Sequence, residues 1–413
     1  MAGFTNLVIR DIWQEAEAST GAKQARLKEW WHESQSSARI ASMLKLVRSE
    51  SNCHAEPREF NLENWLLPVS NGTLDLKAGK ILLPDPKNKF TRVSPVRFDA
   101  ARTCPKWELF LSQVLPDAEV RAFIQQYVGY CLTGDVSARL MLVCIGTGRN
   151  GKSLFLRVLA DLLGVGEFAT VPSGELLLAS QNAQHPTEFT SLFGARVAVL
   201  SEIRKGRQWD EEKLKKLTGN DIIACRKMGE DWWSYTPTCK LIVATNTKPR
   251  VADVTDSFWD RIALVPFSVR IRDEEEDKAL LPKLRGELSG ILNWALKGCA
   301  SYVRQGGFKL PPACVEARDS YRRDEDQLGE CLNDVLVLTP LGRVSNEEVT
   351  RLVGDWCAKA GKSMPWSKRT ISVRLKELGL TETRSGQLRG WAGASLRKDE
   401  KTPKAGWKKE GVK

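Results

Sequence analysis

Apolar residues change their spacing four times along this chain, and each change predicts a different kind of structure. Up to about residue 50 they recur at helical intervals, as Ile12, Trp13 and Ala16, then Trp30 and Trp31, then Ile40, Leu44 and Val47, among polar neighbours. That pattern predicts amphipathic helices and contains no catalytic constellation. From Asn61 the runs shorten, and residues 66–76 bracket Asn71-Gly72 as strand, tight turn and strand. Pro84, Pro86 and Pro95 keep the next segment extended, and helices open at Pro105 and Asp117. Apolar runs at 140–145, 196–202, 240–246 and 262–267 then read as buried strands. Beyond residue 273 the spacing of Leu280, Leu284, Leu288, Ile291 and Leu292 is helical again.

The last change comes near Leu332. Ser345-Asn346-Glu347-Glu348 is a capping box for a helix that Gly361 stops. Ser367 caps a second helix, stopped by Gly379, and a hairpin turns at Ser385-Gly386. Two helices and a basic hairpin predict a winged helix. The second helix opens with Lys368 and Arg369 and carries Arg374, the residues expected to meet duplex DNA. The expected fold class is α/β, with an N-terminal α+β domain (1–104), a P-loop motor domain (105–325), a winged helix (326–395) and a basic tail (396–413).

Charge sharpens this division. The net charge is +11, and residues 359–413 hold fifteen Lys/Arg against five Asp/Glu, so nearly all the excess sits at one end. A basic end suits a polyanion, although a solvated tail would read the same way. The ten cysteines include no C-x-x-C pair and there are three histidines, which argues against a zinc site. No apolar run reaches 18 residues and no basic-then-apolar leader opens the chain, so the expectation is no membrane span and a cytoplasmic protein.

The chemistry concentrates where the 140–145 strand breaks. Gly146, Thr147, Gly148, Arg149, Asn150, Gly151, Lys152 and Ser153 spell G-x-x-x-x-G-K-S between a strand and a helix. Glycines let backbone N–H groups close on a phosphate chain, and the helix start adds its positive end. Lys152 would reach the β- and γ-phosphates of ATP, and Ser153 would hold Mg²⁺. Glu202 ends the second strand and is expected to order the Mg²⁺ water shell and polarise the attacking water. Asn246 ends the third, where an amide can meet the γ-phosphate. Between those strands a helix precedes a hairpin with Arg226 and Lys227 near its tip.

Together these residues resemble a superfamily 3 helicase, an AAA+-type motor, and more narrowly the helicase half of phage and plasmid primase–helicases and their poxvirus relatives. The narrowing motifs are residues 71–76, 129–134, 217–221, 244–249 and 259–262. The resemblance implies a hexameric ring that holds ATP between subunits and moves on single-stranded or forked DNA. It makes Arg261 an arginine finger for the neighbour's γ-phosphate, puts Lys215 at the same interface, and sets Arg226 and Lys227 on the DNA channel. Some family members have two acids at the second strand where Ser201-Glu202-Ile203 offers one. The residues before the family-like region show no acid cluster for polymerisation, so primase activity is not expected here and a separate primase or host replication proteins would supply it. The expected function is an ATP-dependent DNA helicase of a phage, prophage or plasmid element in a bacterial host. The rival is a nucleotide-gated origin-binding initiator that recruits another helicase.

Overall fold

The computed structural model describes residues 2–49, 59–180, 186–201, 203–251, 256–359, 361, 364–385 and 388–397. They form two compact units, one of the described residues within 1–62 and 86–91, the other of those within 63–85 and 92–413. The first holds the three helices Ala2–Glu17, Gly21–Ser34 and Ser37–Ser49. Ile12 and Ala16 are buried there, and the Trp13 and Trp31 rings lie 4.6 Å apart.

The larger unit is built on a parallel sheet. Its strands run Ile262–Pro266, Met141–Ile145, Lys240–Thr245, Val197–Leu200 and Ala169–Thr170 in spatial order. All four pairings are parallel. Such a sheet is covered on both faces, which is why its strands read as unbroken apolar runs. Leu142 and Cys144 join one core with Trp107, Phe155 and Trp294. Met141 and Val143 join the other with Trp209, Leu214 and Tyr321. The first face is closed by helices Pro105–Val114, Ala118–Cys131, Lys152–Leu163 and Leu288–Gln305, the second by Glu211–Thr218 and Pro312–Glu325. Two helices of the first face touch through glycine. A Cβ on Gly129 would stand 2.1 Å from the Cys299 nitrogen, and one on Gly298 1.9 Å from the Gln125 oxygen.

The expected Asn-Gly hairpin is present as Leu66–Val69 paired with Gly72–Asp75. Leu67, Val69, Leu74 and Leu76 are buried in the same core as the helix Lys152–Leu163. The boundary drawn at residue 104 therefore falls inside the larger unit.

The C-terminal part runs helix Gln327–Val335, strand Leu336–Ser345, helices Asn346–Lys359 and Lys368–Glu377, then strands Thr381–Ser385 and Leu388–Leu396. The last strand lies between the other two, antiparallel to both. The capping box is formed, with Ser345 Oγ accepting from Glu348 N at 3.2 Å and Glu348 Oε2 accepting from Ser345 N at 3.1 Å. Trp391, fully buried, anchors its core. Residues 398–413, most of the basic tail, lie outside the described residues.

Candidate functional site

The Gly146–Ser153 loop sits at the C-terminal edge of the sheet, between the strand Met141–Ile145 and the helix Lys152–Leu163. Its backbone demands glycine where the sequence has it. A Cβ on Gly146 would meet Asn150 Nδ2 at 2.1 Å and the Phe267 carbonyl at 2.4 Å. Gly151 has φ of +80°, and a Cβ there would press on Val114 at 2.8 Å and Phe110 at 2.9 Å. Gly148 is also left-handed, at φ +103°.

Lys152 is 5% exposed. Its Nζ donates to the Gly146 carbonyl and to Asn150 Oδ1, each at 2.8 Å. The ammonium is thus held inside the curl of the loop by neutral oxygens, and burial lowers its pKa from the ordinary lysine value. An anion beside it would reverse that pressure. Ser153, by contrast, is exposed at the helix start. A cradle that only glycine permits, a buried ammonium with no counter-ion among the described residues and an open hydroxyl suit a Mg²⁺-bound phosphate chain.

A brace that local motifs did not signal holds this loop. The segment after the Ile262–Pro266 strand runs beside it, with Phe267 N donating to the Ile145 carbonyl at 2.7 Å and Ile271 N to the Arg149 carbonyl at 2.8 Å. Asn150 Nδ2 donates to the Phe267 carbonyl at 3.0 Å, and Arg149 pairs with Asp273. Nothing in the sequence links residues 149 and 273, because the contact exists only once the edge strand Ile262–Pro266 is paired with the loop strand.

Asn246 ends the neighbouring strand at this edge and is exposed. Gly146 N donates to the Thr245 carbonyl at 3.3 Å, so the two strand ends abut. Thr245 Oγ1 accepts from Thr247 N at 3.1 Å and donates to the Thr247 carbonyl at 2.7 Å, fixing the turn around Asn246. Glu202 lies outside the described residues. Its strand, Val197–Leu200, is not next to the loop strand, because Lys240–Thr245 lies between them.

Arg261 is at the other end. It precedes Ile262, which pairs with Met141 at the N-terminal edge of the sheet. The five-residue strand separates it from the loop by roughly 16 Å. Arg261 Nε donates to the Ser257 carbonyl at 3.1 Å and Nη1 to Thr218 Oγ1 at 3.0 Å and the Lys215 carbonyl at 3.3 Å. Among the described residues no carboxylate forms a salt bridge with it, and Asp256 is taken by Arg322 at 2.7 Å. Burial and then the charge of Arg139 lower its pKa, with Asp221 opposing.

Of the expected DNA contacts, Lys227, Lys368 and Arg369 are exposed. Arg226 is exposed too, but its guanidinium lies 5.1 Å over the Trp232 ring. Arg374 corrects the sequence reading. It pairs with Asp326 and, at 2.7 Å, with Glu377, and its side chain is 15% exposed. Asp326 also caps the helix Gln327–Val335 by accepting from Gly329 N at 2.8 Å. Helix periodicity turned Arg374 toward this acid rather than outward, so it joins two helices of the module.

Fold and site define a mixed α/β protein with a glycine-rich loop at the C-terminal edge of a parallel sheet. Residues 3–116 match the family model described as D5 N terminal like, and residues 144–261 match a family of unknown function. "Putative helicase 121R" of Invertebrate iridescent virus 3 is 27% identical over 220 residues, 51% of this chain and 23% of that protein. "Putative helicase 022R" of Frog virus 3 is 24% identical over 60% of this chain and 27% of that protein. "Putative primase C962R" of African swine fever virus is 24% identical over 70% of this chain and 33% of that protein. A solved structure, the apo A form of the NrS-1 C terminal region, covers 73% of this chain and 78% of that one with a TM-score of 0.48 and 14% identity. The chain has relatives among the D5-like viral primase–helicase proteins, in keeping with its superfamily 3 resemblance. It spans about a quarter to a third of the length of these curated relatives. Among the described residues no helix is long and apolar enough to cross a membrane.

Proposed function

We propose that this chain is an ATP-dependent DNA helicase that works as a homo-oligomeric ring, expected to be a hexamer, in the replication of a mobile or viral element. The observation that carries the reading is the placement of its two cationic site residues at opposite edges of one sheet. Lys152 is inside the loop at the C-terminal edge, while Arg261 sits roughly 16 Å away at the N-terminal edge with no salt bridge to a carboxylate among the described residues. Arg261 cannot reach its own loop without unfolding the strand between them. In a head-to-tail ring the N-terminal edge of one subunit can face the C-terminal edge of the next.

The strand order supports an AAA+-type motor. The loop strand is flanked by the strands of Asn246 and Arg261, with the strand leading to Glu202 one place further out. Lys152 would bind the β- and γ-phosphates, Asn246 would orient the attacking water, and Glu202 would take its proton. Mg²⁺ on Ser153 would neutralise phosphate charge. The neighbour's Arg261 would complete the site as γ-phosphate charge develops. The C-terminal helix–strand–helix–helix–strand–strand order supports a winged helix that presents Lys368 and Arg369 to duplex DNA.

Strand displacement tests the reading against its rival. With ATP and Mg²⁺ the chain is expected to release the labelled strand of a forked duplex. Hydrolysis and site-specific duplex binding without displacement would favour an origin-binding initiator instead.

A further inference from the structure

The hairpin between the second and third site strands has two unlike faces. Its strands, Ile223–Cys225 and Trp233–Tyr235, pair antiparallel with Cys225 opposite Trp233. Ile223, Cys225 and Tyr235 are buried, and the Trp233 ring meets Phe193 edge-on at 4.8 Å. Tyr235 Oη donates to the Phe189 carbonyl at 2.6 Å. This face fixes the hairpin to the body of the unit. Side chains alternate along a strand, so Trp232, one residue from Trp233, points the other way. It is 57% exposed, and Met228 at the tip is 84% exposed.

An exposed tryptophan beside a half-buried one is not needed to anchor the hairpin. Arg226 over its ring, at 5.1 Å, holds the indole in one orientation. The charges of the tip cancel, because Arg226 and Lys227 are followed by Glu230 and Asp231. A tip of zero net charge attracts phosphate weakly, so what it offers in excess is a fixed π face with one cation against it. That is the chemistry of single-strand binding by base stacking.

The geometry points to Trp232, set by Arg226, as a stacking platform for the bases of single-stranded DNA, with Met228 extending its apolar surface. This rests on the reading of the hairpin as the DNA-contacting element and changes what it grips, from backbone to base. Every base has a π face, so the contact would be tolerant of sequence, as a translocating motor requires.

The test is anisotropy titration of the full chain, without nucleotide, against labelled oligo-dT and an abasic deoxyribose-phosphate oligomer of equal length. Wild type is expected to bind oligo-dT about tenfold tighter than the abasic strand. Trp232→Phe should keep most of that preference and Trp232→Ala should lose it, with thermal midpoints matching wild type for both. Equal wild-type affinity for the two oligomers would overturn the inference, as would an undiminished preference in Trp232→Ala. Loss of oligomer mass in Trp232→Ala with its base preference intact would assign the ring to a protein contact and overturn it as well. Because ATP takes no part, failure to hydrolyse ATP would sink the motor reading and leave this measurement standing.

Discussion

Lys152 carries the sharpest expectation at the scale of single residues. Its ammonium is buried against two neutral oxygens, the Gly146 carbonyl and Asn150 Oδ1, and no other cation is held in the curl among the described residues. Lys152→Ala should lower steady-state ATP hydrolysis by about 100-fold or more, the scale of losing one preorganised charge contact. Turnover at the wild-type rate in a phosphate-release assay would remove the loop from the mechanism. A second lysine makes a different statement. Lys240, fully buried, donates to the Thr133 and Thr238 carbonyls, and burial lowers its pKa to about 8. Its folded value lies below its unfolded one, so the folded chain gives up this proton first as pH rises. Stability from this group is therefore missing below about pH 8 and returns as pH climbs toward the ordinary lysine range, a swing of about 3 kcal/mol. Urea midpoints of wild type relative to Lys240→Met should rise between pH 7.5 and pH 10. A pH-independent difference would mean that Lys240 keeps an ordinary pKa when folded.

Elements show where the sequence was legible. Helix caps and turn residues act locally, so Ser345 with Glu348, Ser367 and Asn71-Gly72 marked their helices and hairpin within a residue or two. Four of the five parallel strands were legible as apolar runs because they are buried on both faces, whereas the two-residue strand Ala169–Thr170 is too short to show a run. Their order was not, since nothing within a run says that Lys240–Thr245 lies between the loop strand and Val197–Leu200. The strand Leu336–Ser345 escaped notice for a related reason. Val337 and Leu338 are exposed while Leu336 and Val344 are buried, which blurs its alternation. Arg374 looked like Arg369, and only the fold brought Asp326 to it. The two arginines should therefore separate in experiment. Arg369→Ala should leave folding alone and reduce the slope of log affinity for duplex DNA against log salt by about one. Arg374→Ala should leave that slope unchanged and destabilise the module by roughly 2 kcal/mol, because it strands partly buried acids. Denaturant melts and a salt titration read both, and a change of salt slope in Arg374→Ala would return it to the DNA-facing surface.

For the whole molecule, we propose that the loop is half of a site. Its own chain supplies the cradle, the lysine and the abutting Asn246, and places its candidate finger at the far edge of the same sheet. The motifs named those residues, but spacing along the chain said nothing about which edge each would occupy. The parallel pairing of Ile262 with Met141 did that. Arg139 beside Arg261 adds positive charge to the edge that would meet a neighbour's phosphates. The most direct test mixes two variants that should each be inactive. Lys152→Ala lacks a loop and keeps its finger, while Arg261→Ala keeps its loop and lacks a finger. Random assembly at equal ratio gives roughly a quarter of interfaces both wild-type halves, so ATP hydrolysis should recover toward that fraction of the wild-type rate. Absence of hydrolysis at every mixing ratio, with both variants co-assembled, would contradict a site shared between subunits.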